Sequence, residues 1–505
     1  MWRRLYLLLV VVRLYLALSP SYLHPDENFQ GPEIIAHRIF DFPASPTWEF
    51  TSSQPIRSVF PLWLVYGAPM YLVRWLWQGF HHDEPPAWLL FYILRGYMFM
   101  LSFVLEDWAL HELVSVSRQR RLAITLVASS YVTCTWQTHT FSNSMETLLV
   151  LWTLVLVGRI VGEKKRSQLL GTSVLASLLV LGFFNRITFP AFVIVPILQM
   201  IPHLQRKPWS LVVMILVGAL TTVLAILIDT NFYQPMSFDF YTLLQKPTIT
   251  PANNIIYNSS SSNLAQHGLH PFYQHVLINL PQFLGPAFPL LFFSARRTNR
   301  LYSAAAGCLL LSFIPHQEAR FLLPAVPLFL SSIRLPRWQT RTWIGVWLTF
   351  NIVLGTLMGV YHQGGVIPAQ SYIGSEQISQ DVGQIRAAVW WKTYWPPTWL
   401  LGDKDNGHMS EIIALSGAKP GTVSSTLLDI VPCQNTGDDQ LHTLLVAPRS
   451  ANIPVSKDLE FQEVWSYSRH INLDDIDWAE DGIWGTLARV VGRSGLVIWD
   501  VQRVC

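Results

Sequence analysis

Residues 5–30 read LYLLLVVVRLYLALSPSYLHPDENFQ and join a hydrophobic segment to a cluster of ionisable residues. The run from Leu5 to Leu18 is typical of a membrane-spanning helix, and Asp26 and Glu27 follow it closely. A carboxylate beside lipid is costly to ionise unless water, a cation or a substrate compensates its charge. The pair is compatible with a hydrated loop flanking a helix, but it favours a functional site at the membrane surface.

Composition places this segment in a membrane protein with many spans. The chain has 505 residues, of which 51% are hydrophobic and 13% are charged, about half of the ~25% usual in soluble proteins. The formal net charge is only +3, and Lys and Arg occur in short clusters between apolar stretches, which is typical of topology signals and argues against nucleic acid as a partner. Arg13 inside the first apolar run and Pro20 after it favour an uncleaved anchor over a signal peptide.

Apolar windows predict about eleven transmembrane helices. They lie at 5–20, 88–105, 122–137, 144–162, 168–183, 187–203, 209–228, 281–295, 301–315, 320–333 and 342–361. With this assignment, six basic clusters fall on one face, which is predicted to be cytosolic. The stretch 56–80 breaks the alternation, and its prolines and Arg74 indicate a re-entrant or interfacial element.

The opposite, lumenal face receives most of the conspicuous polar sequence. The predicted domains are a transmembrane module at 1–361, with lumenal loops 21–87 and 229–280, and a lumenal α+β domain at 362–505. Alternating runs at His442 to Val446 and Leu496 to Val501 predict strands in that domain. Asn258 begins a glycosylation sequon, and Cys433 and Cys505 either pair in an oxidising lumen or stay reduced.

Three short polar clusters on the lumenal face have two interpretations each. Asn143 and Glu146 have the spacing of a helix capping box, but a cap leaves His139 unexplained, so a substrate-lining role is equally favoured. Arg186 between two spans either snorkels to water or binds a carboxylate or phosphate, and Asp229 is either a boundary residue or a substrate contact.

The cluster His316-Gln317-Glu318-Ala319-Arg320 places three ionisable residues between two apolar helices, which favours a site over a simple ion pair. His267 and His270 lack a carboxylate at ligand spacing, so no metal site is predicted there.

Four motifs together resemble a known family. They are Leu23-His24-Pro25-Asp26-Glu27-Asn28-Phe29-Gln30, Thr140-Phe141-Ser142-Asn143-Ser144, Asp229-Thr230-Asn231-Phe232-Tyr233 and His316-Gln317-Glu318-Ala319-Arg320-Phe321. This order resembles glycosyltransferase family twenty-two, the dolichyl-phosphate-mannose-dependent mannosyltransferases of the endoplasmic reticulum with the GT-C fold. The resemblance covers roughly residues 1 to 360. The segments around Trp48 and Arg57 are most similar to members that add the fourth mannose of the GPI precursor.

The resemblance implies inverting transfer of mannose from dolichyl-phosphate mannose to the third mannose of the GPI glycolipid in α-1,2 linkage. Asp26 would be the base and Glu27 would orient the acceptor or tune Asp26. Arg186, His316 and Arg320 are the candidates for the departing phosphate, and no metal or other cofactor is expected. The remaining expected substrate-binding residues are His24, Gln30, His139, Asn143, Asp229 and Gln317.

Other functions stay open on the sequence alone. Sister enzymes that add the third GPI mannose, or α-1,2 and α-1,6 mannoses of the N-glycan precursor, share most of these motifs. A lipid transporter or scramblase would also carry ionisable residues between helices, although it would be expected to show duplicated halves with polar groups near the midplane. A non-catalytic subunit of a glycosylation complex would tolerate replacement of Asp26.

Overall fold

The computed structural model describes residues 2–163, 165, 167–234, 245–336, 339–402, 409–432, 441–453, 458–476 and 478–504. Cys433 and Cys505 lie outside the described residues, so their pairing stays a prediction. Two compact units form, each from several stretches of chain. The first unit consists of Met1–Ala17, Pro46–Ala68 and Leu94–Gly355, and the second of Leu18–Ser45, Pro69–Ile93 and Thr356–Cys505.

The first unit is built of helices, with no strand among its described residues, as its apolar composition requires, because a backbone in lipid must satisfy its own hydrogen bonds. Its α-helices are Trp2–Ala17, Trp48–Thr51, Phe60–Leu62, Asp107–Leu113, Ser117–Ala128, Tyr131–Cys134, Ser142–Gly162, Leu169–Asn185, Phe189–Arg206, Pro208–Tyr233, Thr250–Asn258, Ser261–Gln266, Leu280–Leu284, Phe288–Phe293, Asn299–Ser312, Ala325–Leu330 and Thr340–Thr356. Short 3-10 and π turns extend or join them at Trp63–Gly67, Ser102–Glu106, Trp136–Thr138, His275–Asn279, Gly285–Ala287 and Ala319–Leu322.

Five continuous helical stretches among the described residues are long and apolar enough to cross a membrane. They are Ala87–Leu113, Ser142–Gly162, Pro208–Tyr233, His275–Phe293 and Thr340–Tyr361. The polytopic character is therefore confirmed, whereas the number of eleven spans stays a prediction. Two of the predicted windows are interrupted: 122–137 contains three short helical pieces, and 320–333 contains Pro324 and Pro327, which lack a backbone donor.

Burial separates a central helix from a peripheral one in the first unit. Residues of the apolar window of Ser142–Gly162 are 61% buried, whereas those of Pro208–Tyr233 are only 6% buried. The central helix packs against Leu169–Asn185 and Phe189–Arg206, and the latter packs against Asn299–Ser312. Gly307 permits that last approach, because a Cβ there would lie 2.2 Å from the Phe192 ring. The peripheral helix keeps a wide apolar face for lipid.

The second unit carries the short helices around the HPDE motif and a five-stranded sheet. Its helices include Asp26–Phe29, Pro32–Phe40, Ala68–Gln78, Ala87–Leu101, Leu357–Tyr361, Val366–Ile373, Glu376–Asp381, Thr398–Leu401, Pro420–Ile430, Leu473–Asp475 and Trp478–Val490. Helical structure is continuous from Phe60 to Gln78, so the predicted element at 56–80 is a helix with a π turn. Whether it is re-entrant stays a prediction.

The sheet consists of β1 (Ile385–Trp391), β2 (Met409–Ser416), β3 (His442–Pro448), β4 (Leu459–Tyr467) and β5 (Leu496–Arg503). Its order is β2-β1-β3-β5-β4, with β1 parallel to β2 and β3, and β5 antiparallel to β3 and β4. The predicted strands at His442 to Val446 and Leu496 to Val501 are confirmed as β3 and β5. A helical membrane protein with a small C-terminal α+β domain is therefore the observed fold class.

Candidate active site

The HPDE motif forms a tight turn that leads into one turn of helix. The backbone N–H of Asp26 donates to Nδ1 of His24 at 3.2 Å, and the Gln30 amide donates to Oδ2 of Asp26 at 2.5 Å. The Asp26 side chain is 19% exposed. Its carboxylate is thus held by a neighbour on the same turn and remains within reach of solvent.

Glu27, the second carboxylate of the pair, is fully buried. It lies near the buried phenol of Tyr22 and the buried imidazole of His362. Burial, reinforced by the charges of Glu27 and Glu33, raises the pKa of Tyr22 well above its usual value. Burial lowers the pKa of His362 to about 4, so that ring is neutral at neutral pH. The two adjacent carboxylates therefore occupy different environments, and only Asp26 reaches solvent.

Residues of the C-terminal domain hold this loop, and sequence reasoning missed them. Tyr22 donates its hydroxyl hydrogen to the carbonyl of Trp395 at 3.0 Å, and the Trp399 indole donates to Oδ1 of Asn28 at 3.3 Å. The ring centroid of Tyr394 lies 6.3 Å from that of His24. No recognisable motif surrounds these aromatic residues, although the density of Trp between 390 and 399 is a signal of a buried aromatic layer.

Glu33 is a further buried carboxyl group in the same unit. Its two oxygens accept hydrogen bonds from the backbone N–H groups of Ser45 at 2.6 Å and Thr398 at 3.1 Å. Burial raises the pKa of Glu33 to about 8 against the effect of these donors. The residue connects the loop after the HPDE motif to the C-terminal part of the chain.

The first unit assembles a cluster of three arginines. Arg186 is 8% exposed, and its guanidinium lies 3.2 Å from Glu146 and donates to the hydroxyl of Ser142 at 2.9 Å. Burial and the neighbouring charges of Arg57 and Arg320 lower the pKa of Arg186 to about 10, against the opposing effect of Glu146. Arg186 therefore stays protonated at neutral pH in a region where other cations are close.

Arg320 belongs to the same cluster through Phe321. The guanidinium carbons of Arg186 and Arg320 lie 5.2 and 6.0 Å from the centroid of the Phe321 ring. Arg320 forms an ion pair with Glu318, and the imidazole of His316 lies 2.9 Å from Glu318. Hydrogen bonding to Glu318 raises the pKa of His316. The structure thus brings together the three predicted phosphate-binding candidates, Arg186, His316 and Arg320.

Arg57 is the third cation, and sequence reasoning did not include it. It pairs with Glu49 at 3.1 Å, and Tyr233 donates its hydroxyl hydrogen to the Arg57 carbonyl at 2.5 Å. Asp229 is fully buried and accepts hydrogen bonds from the backbone N–H of Val59, at 2.9 Å, and from the hydroxyl of Ser58, at 3.0 Å. Asp229 therefore holds the segment that carries Arg57, and it lies away from solvent.

The residues of the Thr138–Thr147 region have a different role from the predicted cap. The helix begins at Ser142 after Phe141, whose side chain makes no cap, so the predicted Asn143–Glu146 capping box is absent and that interpretation is wrong. Glu146 instead accepts a hydrogen bond from Thr188 at 2.5 Å and pairs with Arg186. Asn143 is buried, and its Nδ2 has no hydrogen-bond partner among the described residues. His139 is also buried, stacked on Phe141.

The other residues singled out from the sequence contact neighbouring parts of the protein. Gln317 is buried and accepts from the backbone N–H of His275 at 3.0 Å. The ring of His316 lies 5.8 Å from that of His267 and 6.2 Å from that of His270. In the part of the chain that is described, no three His, Cys, Asp or Glu residues are grouped as a metal site. Asn258 ends the helix Thr250–Asn258, and its glycosylation stays a prediction.

Comparison with known proteins identifies the family. The model of the Alg9-like mannosyltransferase family matches residues 4–401. The chain is 48% identical to a GPI mannosyltransferase 4 of Aspergillus oryzae, over 100% of this chain and 99% of that protein. It is 46% identical to a GPI mannosyltransferase 4 of Emericella nidulans, over 100% and 98%. Among solved structures, ArnT from Cupriavidus metallidurans bound to undecaprenyl phosphate matches with 12% identity and a TM-score of 0.48, over 98% of both chains. This chain belongs to the Alg9-like mannosyltransferase family.

Proposed function

We propose that the chain transfers mannose from dolichyl-phosphate mannose to the third mannose of the GPI precursor, in α-1,2 linkage, at the lumenal face of the endoplasmic reticulum membrane. Relatives that match the whole chain are named GPI mannosyltransferase 4, which supports this choice within the family. The observation that carries the chemistry is Asp26, a carboxylate that is 19% exposed and oriented by Gln30.

In the proposed reaction, Asp26 accepts the proton of the acceptor hydroxyl as its oxygen attacks the anomeric carbon of the donor mannose. The new glycosidic bond forms as the bond from that carbon to the phosphate oxygen breaks, and dolichyl phosphate leaves with the bonding electron pair. Attack opposite the leaving group inverts the configuration. A positioned general base typically contributes 10²–10⁴-fold to such a step, by order of magnitude.

The departing phosphate requires cations, and the three clustered arginines of the first unit are the candidates to bind it. Arg57, Arg186 and Arg320 pair with three carboxylates, and His316 shares one of these, Glu318, so the cluster has more cationic groups than carboxylates. Arginine suits this role because its planar guanidinium binds phosphate oxygens in a bidentate manner and stays charged when buried. His316, whose pKa is raised by Glu318, adds a further donor.

An apolar cavity in the first unit supports a lipid-linked donor. It has a volume of about 410 Å³ and is lined by Leu179, Phe183, Phe184, Ala252 and Ile255, among others. It lies beside Thr250, whose hydroxyl donates to Asp229 at 2.7 Å. An apolar cavity of this kind accommodates a section of isoprenoid chain, since burial of each CH₂ is worth about 0.8 kcal/mol.

The test is transfer by the full-length protein in lipid nanodiscs, supplied with dolichyl-phosphate mannose and a panel of acceptors. The panel contains GPI precursors with two and three mannoses and N-glycan intermediates. We expect extension of the three-mannose GPI alone, and about 10³-fold slower transfer by Asp26→Asn. Asp41→Asn is the matched control, because Asp41 is an exposed carboxylate of the same unit.

Extension of another acceptor would indicate that the chain has the acceptor specificity of a different member of the family. Normal transfer by Asp26→Asn would refute the role of Asp26. Movement of labelled lipid between leaflets without formation of a glycosidic bond would support the transporter alternative instead.

A further inference from the structure

The C-terminal sheet has the topology that creates a binding cleft in open α/β folds. The chain passes from β1 to β2 on one side, then crosses to β3 on the other side of β1. All three strands are parallel, so their carboxyl ends lie at one edge of the sheet. At such a switch point the connections diverge in opposite directions and leave a crevice outside the strand ends, where ligands of these folds bind.

A cleft of about 650 Å³ occupies this position in the structure. Its lining includes residues 391–395 after β1, Ser416 and Gly417 after β2, and Asn452 after β3. Pro420, at the start of the helix Pro420–Ile430, completes that side. Each of the three parallel strands therefore contributes to the cleft at its carboxyl end, as the topology requires.

The charges of the cleft argue for a neutral ligand. Lys392 and Arg489 each lie 2.5 Å from a carboxylate oxygen of Asp475, so both cations are engaged with one buried acid. Asp474 adds a second carboxylate to the lining. Two cations and two carboxylates cancel, which leaves no excess charge to attract a phosphate.

The groups that remain are those that carbohydrate recognition uses. The Trp395 side chain is 40% exposed and presents an aromatic surface, on which the C–H face of a pyranose packs. Thr393 is 5% exposed, and its hydroxyl has no hydrogen-bond partner among the described residues. A buried hydroxyl without a partner costs about 1–3 kcal/mol, which a sugar hydroxyl in the cleft would recover. The amide of Asn452 provides a further donor and acceptor.

Pro25 of the HPDE motif also lines this cleft, one residue before Asp26. A glycan seated in the cleft would therefore pass directly beside the loop that carries the proposed base. We propose that the cleft binds neutral mannose residues of the acceptor glycan and positions it for extension. This inference rests on the proposed function, which it deepens by assigning the C-terminal domain to acceptor recognition.

Binding of a soluble trimannosyl-glucosamine glycan without lipid tests this proposal on the full-length protein in nanodiscs, with no donor present. We expect Trp395→Ala to weaken the glycan Kd about tenfold and Thr393→Val about fivefold, as expected for loss of one stacking contact and one hydrogen bond. Trp484→Ala and Thr422→Val are matched controls, because both residues are exposed in the same domain and do not line the cleft. Inorganic phosphate is expected not to compete.

The result separates this proposal from the proposed function. Asp26→Asn is expected to bind the glycan with unchanged Kd while it fails to transfer mannose, so a failed transfer assay leaves the binding result interpretable. Absence of glycan binding by the unmodified protein, an unchanged Kd in both cleft variants, or displacement by phosphate would overturn the assignment. Thermal unfolding of each variant verifies that its fold is intact.

Discussion

The ion pair between Arg186 and Glu146 separates a phosphate-binding role from a structural one. Replacing Arg186 with Met leaves the fully buried Glu146 carboxylate without this cation, although the Thr188 hydroxyl still donates to it at 2.5 Å. A buried charge that loses its partner in this way costs about 3–5 kcal/mol of stability. We therefore expect Arg186→Met to lower the free energy of unfolding by that amount and to slow mannose transfer.

The double variant Arg186→Met with Glu146→Leu removes both charges and replaces the ion pair with an apolar contact of similar volume. Replacement of a whole buried pair is often neutral for stability, so we expect most of the lost stability to return. Transfer is not expected to return, because the double variant still lacks the guanidinium. The loss of its charge-assisted hydrogen bonds, at about 1.5–3 kcal/mol, corresponds to a decrease of roughly 10- to 150-fold in kcat/KM for the donor.

The assay combines thermal and denaturant unfolding in detergent with steady-state transfer at varied donor concentration. Arg159 and Glu112 provide the matched control pair, since their side chains are 50% and 34% exposed and their contact is 2.9 Å. Removing that exposed pair is expected to change neither the free energy of unfolding nor kcat/KM for the donor appreciably. If the double variant recovered both stability and transfer, Arg186 would be only a structural partner of Glu146.

Three further measurements test other parts of the structure. Ala252→Trp fills the apolar cavity of about 410 Å³ and is expected to raise the donor KM about tenfold with little change in the acceptor KM, measured by transfer kinetics. Asn258→Gln is expected to abolish an endoglycosidase-sensitive mass shift in microsomes, and no shift in the unmodified protein would contradict the predicted lumenal loop. Glu33 binds its proton up to about pH 8 when folded but only to about 4.3 when unfolded, so stability is expected to fall as pH rises through that window, by at most about 1.4 kcal/mol per unit. Thermal unfolding of Glu33→Gln between pH 5 and 8 is expected to show a flatter profile than the unmodified protein, and equal profiles would contradict the raised pKa.

The helical part of this fold is predictable because a long apolar stretch in lipid has few alternatives to a helix. The windows around Ser142–Gly162 and Pro208–Tyr233 match observed helices closely. Windows with internal proline or dense polar residues are less predictable, since local breaks depend on tertiary partners. The stretch 122–137 is an example, because polar residues such as Ser129, Ser130 and Gln137 lie within it and it divides into three helical pieces.

The arginine cluster was predictable in part, because two of its residues occupy positions in the sequence where a cation is unusual. Arg186 and Arg320 stand out because a cation between apolar helices requires a partner. Arg57 does not stand out, since it lies in a polar stretch, and its inclusion depends on Asp229 holding the Ser58–Phe60 backbone from a position far away in sequence. Contacts of that separation leave no local pattern in a single sequence.

The wrong prediction of a helix cap at Asn143 and Glu146 shows how a tertiary contact can override a local sequence pattern. Asn143 and Glu146 have the spacing of a capping box, which would satisfy helix donors with about 1 kcal/mol of gain. The observed pairing of Glu146 with Arg186 instead neutralises a buried arginine, for which the alternative is a desolvated charge costing several kcal/mol. Because the cost of an unpaired buried charge exceeds the gain from a cap, Glu146 turns toward the arginine and the helix begins without a side-chain cap. The same energetic argument explains the position of Asp229. A buried carboxylate is costly unless it accepts hydrogen bonds, and Asp229 accepts them from the backbone N–H groups of Val59 and Phe60, at the start of a helix that is distant in sequence.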